Sequence, residues 1–421
     1  MIRTRRFRLI GALSVLAQSM ILISCNPQTE NSAVLWTNQD SFASYVELFN
    51  TSQNKHTIIL EYKANPAEAI LTSKEQPDIV IGPWLKGEKT RTKLVSVDYL
   101  FDELKISGKL FYKPLLDLGH INGRQYLLPV SFNLPAVIFS PEHRELIPGD
   151  FSLSIEQIRE IGKTWNQKND RTYTRMGFSP RWNPDFLYLT AKLFDARFEE
   201  SNTLFTYNAQ ALETGLKWIR SWSTEVNESI QAEDDFAFKY LYDPPYKLVT
   251  GSRNLFSYMS SEDLLAMPQD KLQNIDFRWI TKSNMTPIND EIMYAAICRK
   301  AQNTEAAEAF LTWFFTERTQ KELLERSRNL GEMERSFGIS GGFSALRSVN
   351  EKVFPLFYPS ILGHLPPAES LAVPRILPNN WIMLKEKIVM PWLVDAAGTP
   401  AQHSNTVKSM EARLVDWQKT R

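Results

Sequence analysis

The chain has 421 residues, with 48 basic and 48 acidic side chains, so it is formally neutral at pH 7. That balance excludes a nucleic-acid binder, because phosphate contacts need a basic face. Its length is too great for one core, so two lobes are expected.

The first element is a leader. Arg3, Arg5, Arg6 and Arg8 precede an apolar run from Leu9 to Ile23, the basic and hydrophobic regions of a signal peptide. The run is shorter than the roughly 20 residues that span a bilayer. It ends in Leu22-Ile23-Ser24-Cys25, which resembles a bacterial lipobox. The resemblance implies a lipid on Cys25, removal of residues 1–24, and a place in the cell envelope, on the periplasmic or extracellular face. Removal takes four arginines and no acids, leaving 44 basic against 48 acidic residues, about −4. Anchoring would then rest on acyl chains rather than on charge. With Cys25 acylated, the one remaining cysteine, Cys298, has no intrachain partner and reads as a small core hydrophobe.

Residues 25–33 form a polar tether, after which β and α patterns alternate. Val34-Leu35-Trp36 reads as a strand. Phe42, Tyr45, Val46 and Phe49 mark one face of a helix. Thr57–Tyr62 is a second strand, Pro66 opens a helix through Leu71, and Ile79-Val80-Ile81 is a continuously apolar third strand of the buried parallel kind. This order predicts an open sheet flanked by helices. Pro135–Ser140 is another buried strand, near which the chain crosses to a second lobe. Ser154 with Gln157 makes a capping box, and Asn183-Pro184 a cap with a first-turn proline. The chain crosses back after Trp279–Thr281. Thr304–Arg326 reads as one long helix and Thr406–Lys419 as a closing helix. The spacing predicts a first lobe of residues 34–137 with 284–330 and a second of 138–283 with 331–421. No stretch after the leader has 18 apolar residues.

Four stretches carry a family resemblance. They are Val34-Leu35-Trp36-Thr37-Asn38-Gln39-Asp40, Gln76-Pro77-Asp78-Ile79-Val80-Ile81-Gly82, the N-G-x-x-Y-x-x-P element Asn122–Pro129, and the A-A-x-x-F helix Ala306–Leu324. In this order, behind a lipobox, they resemble the extracellular solute-binding proteins of ABC importers, family 1, the maltose-binding-protein-like sugar type. The resemblance implies a two-lobed α/β fold (type II), each lobe an open, mostly parallel sheet with helices. It also implies a sugar held between the lobes and delivery to ABC permease subunits. The protein would be a monomer with no cofactor, no metal and no catalytic residue.

In open α/β sheets ligands sit beyond the carboxyl ends of the strands. Thr37–Asp40 and Gly82–Trp84 occupy such ends. Asn38 and Asp40 match family positions that bind sugar hydroxyls, although Asp40 is equally placed to cap the next helix. Trp84, Trp182 and Trp381 match regions of stacking aromatics, with a core role as the alternative for each. Asn133 stands where maltose binders carry an acid, and Tyr258 and Ser260 match a segment lining the cleft from the second lobe. Asp78 lies at the wrong end of its strand and reads as structural. Trp218, Trp222 and Trp313 sit at apolar helical spacing and read as core.

The alternatives are a different ligand, a surface role without transport, and an enzyme. A polyol phosphate would need an arginine fork, for which Arg181 and Arg375 are the candidates. A surface lipoprotein acting in sensing or adhesion would show a degenerate cleft. Gly338-Ile339-Ser340-Gly341-Gly342 spells the G-x-S-x-G of a hydrolase elbow, but Glu332, Glu334, Arg335 and Ser336 ahead of it cannot form the buried strand that the elbow needs. The segment reads instead as a glycine-rich loop bordering the cleft. The five histidines show no metal-binding spacing.

Overall fold

The computed structural model describes residues 31–419 apart from 104, 150, 203, 401, 402, 404 and 405. The leader and the proposed lipid site at Cys25 lie outside the described residues.

Two sheets organise the chain. Their strands are β1 (Ser32–Thr37), β2 (Thr57–Tyr62), β3 (Ile79–Gly82), β4 (Leu128–Phe132), β5 (Pro135–Phe139), β6 (Ser152–Ser154), β7 (Ser257–Ser260), β8 (Asp276–Thr281), β9 (Met293–Ile297) and β10 (Phe343–Ser344). The first sheet runs β10-β4-β9-β3-β1-β2 and the second β7-β5-β8-β6. β1 pairs in parallel with β2 and β3, as the β-α-β-α-β order requires. The remaining pairs of the first sheet are antiparallel. In the second sheet β5 is antiparallel to β7 and β8, while β6 and β8 are parallel. Both sheets are therefore mixed rather than mostly parallel. The reason is that strands adjoining the crossovers enter a sheet from the other lobe, not from a helix on its face.

The crossings fall at short segments. The chain passes from β4 to β5 through Asn133-Leu134 and back from β8 to β9 through residues 282–292. All of β5 belongs to the second sheet, so the first crossing precedes the expected boundary at residue 137. β10 pairs with β4, so part of the tail assigned above to the second lobe returns to the first sheet. A third link forms where Thr286–Pro287 pairs with Leu371–Ala372.

The local signals produce the elements expected of them. Helix Ser41–Ser52 buries Phe42, Tyr45, Val46 and Phe49. Asn65 caps Pro66–Thr72 through Glu68 N–H, and Ser154 with Gln157 closes both bonds of the capping box on Ile155–Trp165. Asn183 accepts from the N–H groups of Asp185 and Phe186 at the start of Pro184–Leu193. Trp222 is fully buried, and Trp218 and Trp313 pack against the core. Cys298 is buried and unpaired, and burial pushes its thiol up to about 12. The expected long helix is two, Thr304–Phe314 and Glu317–Asn329. Thr316 breaks it, its hydroxyl accepting from Thr319 N–H, so a side-chain cap replaces the helical bonds that would otherwise run through. The closing helix is Met410–Lys419, shorter at its start than expected.

Asp78 is structural, as its place before β3 suggested. It is 3% exposed. One carboxylate oxygen accepts from Val34 N–H at 2.7 Å, the other from Gln302 and Asn303 N–H at 2.5 and 2.7 Å. One side chain thus fastens β1, the entry to β3 and the start of helix Thr304–Phe314. Asp78→Ala removes the charged acceptor of three partly buried backbone donors, so we expect a loss of about 3 kcal/mol, read as a lower urea midpoint with an unchanged slope.

Candidate functional site

A cavity of about 590 Å³ opens where the two sheets exchange strands. From the first sheet it receives Trp84, just beyond the carboxyl end of β3. Gly82 is needed there, because a Cβ would stand 2.9 Å from Pro66 Cγ. Trp84 itself holds a φ of 64°, a conformation that a bulky residue rarely adopts. The crossing segments contribute Asn133 and Asn289–Glu291. The second lobe supplies Asp185, Tyr188 and Lys192 from one helix, Tyr258 and Ser260 from β7, and Glu262 and Asp263 from the helix that follows. Trp381 and Lys385 complete the wall.

Five residues expected at the site thus come together: Trp84, Asn133, Tyr258, Ser260 and Trp381. Two of them also have internal duties. The Asn133 amide donates to Gly341 O at 2.8 Å and its oxygen accepts from Ser261 Oγ at 2.5 Å. Ser260 Oγ accepts from Asp263 N–H and donates to the Asp263 carboxylate at 2.8 Å. Trp381 is fully buried and packs within 6.0 Å of Tyr188 and Phe198 and 5.5 Å of Phe205.

Three expected residues stand elsewhere. Trp182 stacks on Phe236 at 5.2 Å and donates to Glu233 O, so its ring faces a neighbouring helix instead of the cavity. Asp40 is exposed at the start of Ser41–Ser52 and makes no capping bond. Neither it nor Asn38 lines the cavity. Asn38 Oδ1 is nevertheless buried without a partner. The arginine fork is also absent. Arg181 is held by Glu233 and Asp234 at 2.9 Å, and Arg375 lines smaller neighbouring cavities. Among the described residues no arginine lines the main cavity.

Residues that the spacing did not mark turn out to set the charge of the cavity. Five carboxylates line it: Asp185, Glu262, Asp263, Asp290 and Glu291, against two lysines, Lys192 and Lys385. Lys192 and the Tyr188 hydroxyl both donate to Asp290, and Lys385 donates to Asp185 at 3.1 Å. Burial, with the Asp290 charge adding, holds the Tyr188 hydroxyl well above its ordinary value. Burial likewise raises Tyr258 and Glu291, the latter against the opposing charge of Lys385. Glu262 is pushed up to about 7, first by burial and then by Asp263 and Glu291. The only sequence signal for any of these was the Asn183-Pro184 cap, which placed the helix carrying Asp185, Tyr188 and Lys192.

The glycine-rich loop is not a nucleophile elbow. Gly338 N–H donates to Tyr358 OH and Ser340 N–H to Tyr45 OH, while Ser340 O accepts from Ser131 Oγ at 3.1 Å. Ser340 is 2% exposed, away from any incoming substrate. The loop packs behind the cavity wall, since a Cβ on Gly341 would lie 3.1 Å from Oε1 of the lining residue Glu262, but none of its own residues lines the cavity. Among the described residues no group of three His, Cys, Asp or Glu is placed to hold a metal ion.

Solved structures share this architecture. An ABC substrate-binding protein of Listeria monocytogenes in complex with cycloalternan matches over 92% of this chain and 97% of its own, at 12% identity and a TM-score of 0.59. A sugar transporter from Rhizobium etli, in an open conformation, matches over 92% and 98%, at 13% identity and 0.63. A cyclic alpha-maltosyl-1,6-maltose binding protein from Arthrobacter globiformis matches over 93% and 99%, at 15% identity and 0.60. No family model and no curated protein matches the sequence. The chain has the two-lobed α/β fold of sugar-type ABC solute-binding proteins. Among the described residues no helix is long and apolar enough to cross a membrane.

The raised value of Glu262 has a consequence for stability. An acid raised on folding favours the folded state below its unfolded value, and that contribution is lost as pH rises through about 7. At pH 8 the ionised carboxylate costs the folded protein, whereas glutamine does not. Because the group is open to the cavity, screening reduces the effect to about 1 kcal/mol. Glu262→Gln is expected to melt above the parent at pH 8 and level with it at pH 4, by calorimetry without ligand.

Proposed function

We propose that this protein is a lipid-anchored substrate-binding subunit of an ABC importer. It takes up a sugar or oligosaccharide in the cavity between its lobes and presents it to membrane permease subunits, itself a monomer performing no chemistry. The observation that carries this reading is the wall of the cavity. Indole and phenol rings (Trp84, Tyr188, Tyr258, Trp381) alternate there with amide and carboxylate groups, the pattern of a concave site with a few orienting polar groups. The rings cover the apolar C–H faces of a sugar and the polar groups read its hydroxyls. The similar structures support the choice of ligand class, since they include complexes with cycloalternan, mannotriose and maltotetraose. Hinge closure at the crossing segments would hide the solute from water. The lipid anchor at Cys25 and the extracytoplasmic location complete the reading.

The cavity argues against the two alternatives. A polyol phosphate would meet an excess of carboxylates and no arginine. A degenerate cleft would have all three tryptophans packed away from it; Trp182 is, and Trp381 is fully buried in the cavity wall, but Trp84 lines the cavity and keeps some exposure.

The test is a thermal-shift screen of the protein against mono- and oligosaccharides, polyol phosphates, amino acids and short peptides. A ligand at 100 times its Kd should stabilise by about 2.7 kcal/mol, enough to move the melt by several degrees. We expect a shift with one carbohydrate class. Trp84→Ala should weaken binding at least about tenfold, and Trp182→Ala should lower the melting temperature while leaving the ligand-induced shift in place. A shift confined to phosphorylated compounds overturns the sugar reading. No shift with any class transfers the weight to a surface role without transport.

A further inference from the structure

The lobes also meet away from the crossings. Glu88 N–H, at the end of the turn that starts with Trp84, donates to Glu200 Oε2 at 3.0 Å. Asn65, just after β2, donates through its side-chain amide to Asn379 O at 3.4 Å. Glu88 and Asn65 belong to the first lobe. Glu200 stands on a hairpin of the second, in which Glu199–Ser201 pairs with Leu204–Thr206. Its own N–H donates to Ile376 O at 2.7 Å, which ties the hairpin to the segment leading through Asn379 to Trp381. β2 is an edge of the first sheet, four strands from β4, where the chain crosses, roughly 19 Å at the usual spacing. The cavity is therefore flanked by the crossings and, separately, by this contact.

The contact is built into the site by chain neighbours. Gly87 lies three residues after Trp84, and Asn379 two before Trp381; both tryptophans line the cavity. The turn between Trp84 and Glu88 is braced, because the buried Thr90 hydroxyl reaches Leu85 O at 2.8 Å and Gly87 O at 2.7 Å. A shift at Glu88 is thus passed to Trp84. On the other lobe, Phe205 of the hairpin packs against Trp381 with ring centres 5.5 Å apart.

Gly87 offers no side chain to cap the short helix Glu88–Arg91, and Glu200 of the other lobe takes that place. The glycine also admits the carboxylate, since a Cβ there would stand 3.1 Å from Glu200 Oε2. Its φ of −54° suits any residue, so it serves the close approach and not the backbone shape. The two sides meet without close packing: about 30 Å³ stays unfilled between Trp84, Lys86 and Pro374–Leu377.

We propose that Glu200 is the latch of the cavity. By capping Glu88 N–H across the cleft, its carboxylate holds the Trp84 turn against the Trp381 wall, and breaking that bond admits or frees the solute. Glu200 does not line the cavity, so it is a positioning residue that acts through Trp84. The bond exists only when the lobes are together, so it favours the closed form alone and shifts the balance by that difference. A carboxylate accepting from a backbone N–H is charge-assisted and strong enough to bias that balance. Its exposure to water leaves it able to break. The proposal takes the cavity as the binding site and does not depend on which solute enters it.

The test is fluorine NMR of the full-length protein labelled with 5-fluorotryptophan, without solute, the signals being assigned by single Trp→Phe substitutions. In Glu200→Ala the Trp84 signal should move or split, its second population at least about tenfold larger than in the parent. Trp182, which stacks on Phe236, should stay in place. Glu200→Gln keeps an oxygen that accepts from Glu88 N–H and should hold the Trp84 populations within about twofold of the parent. Melting shows that each variant is folded. If Glu200→Ala is not, Gly87→Ala, whose methyl displaces the carboxylate, decides in its place. An unmoved Trp84 signal overturns the latch. So does an equal disturbance in Glu200→Gln, or a Trp182 signal that moves as far, which marks general loosening. None of these outcomes bears on the sugar reading, which the thermal-shift screen tests.

Discussion

The structure depends most on the way Asn133 holds the passage between the two sheets. Its amide reaches Gly341 O, in the loop packed over the first sheet, and its side-chain oxygen takes the Ser261 hydroxyl of the second lobe. Its own carbonyl accepts from Asn289 N–H in the returning segment at 2.9 Å. Ser261 Oγ in turn accepts from Leu134 N–H. Both crossings, the glycine-rich loop and the helix carrying Glu262 are therefore joined through one residue. Buried polar networks of this kind fix geometry because every member loses if one is moved. An acid in place of Asn133 would lose the donor that Gly341 O accepts.

That junction explains why the cavity is where it is. β3 ends beside the crossing, so Trp84 reaches the cavity from the first sheet. β7 ends on the opposite side, so Tyr258, Ser260 and Glu262 enter from the second. The segment before β9 brings Asp290 against Tyr188 and Lys192, a link between crossing and helix that stays within the wall. Rigid sheets thus carry a site whose polar groups are mostly committed to one another, leaving a few to meet a solute.

The pairing pattern also accounts for the core. Continuously buried strands such as β3, β5, β8 and β9 lie inside their sheets and are covered on both faces. β2, whose pattern ends in exposed residues, forms an edge. The glycine-rich loop shows how a motif misleads when its setting is ignored. Its positive φ angles at Gly338, Ser340 and Gly341 serve a tight buried turn rather than the presentation of a nucleophile.

By itself the sequence determined the local elements: the first three strands, the helix faces, the helix start at Pro66, the caps at Ser154 and Asn183, and the structural role of Asp78. These follow from contacts between near neighbours, which a periodicity or a cap records directly. The order of those elements indicated an open sheet flanked by helices, and the family resemblance implied the two-lobed fold and pointed to Asn133, Tyr258, Ser260 and Trp381 beside Trp84. Tertiary structure alone decided the rest. A single threonine divided the expected helix Thr304–Arg326 in two, and Trp182 found Phe236 instead of the cavity. The antiparallel pairing of β9 and β10 depends on where the chain returns after long excursions. The charge of the site was beyond sequence reasoning for the same reason. Which carboxylates are neutralised depends on distances between residues about a hundred or more positions apart, such as Asp185 with Lys385, and no local pattern encodes them.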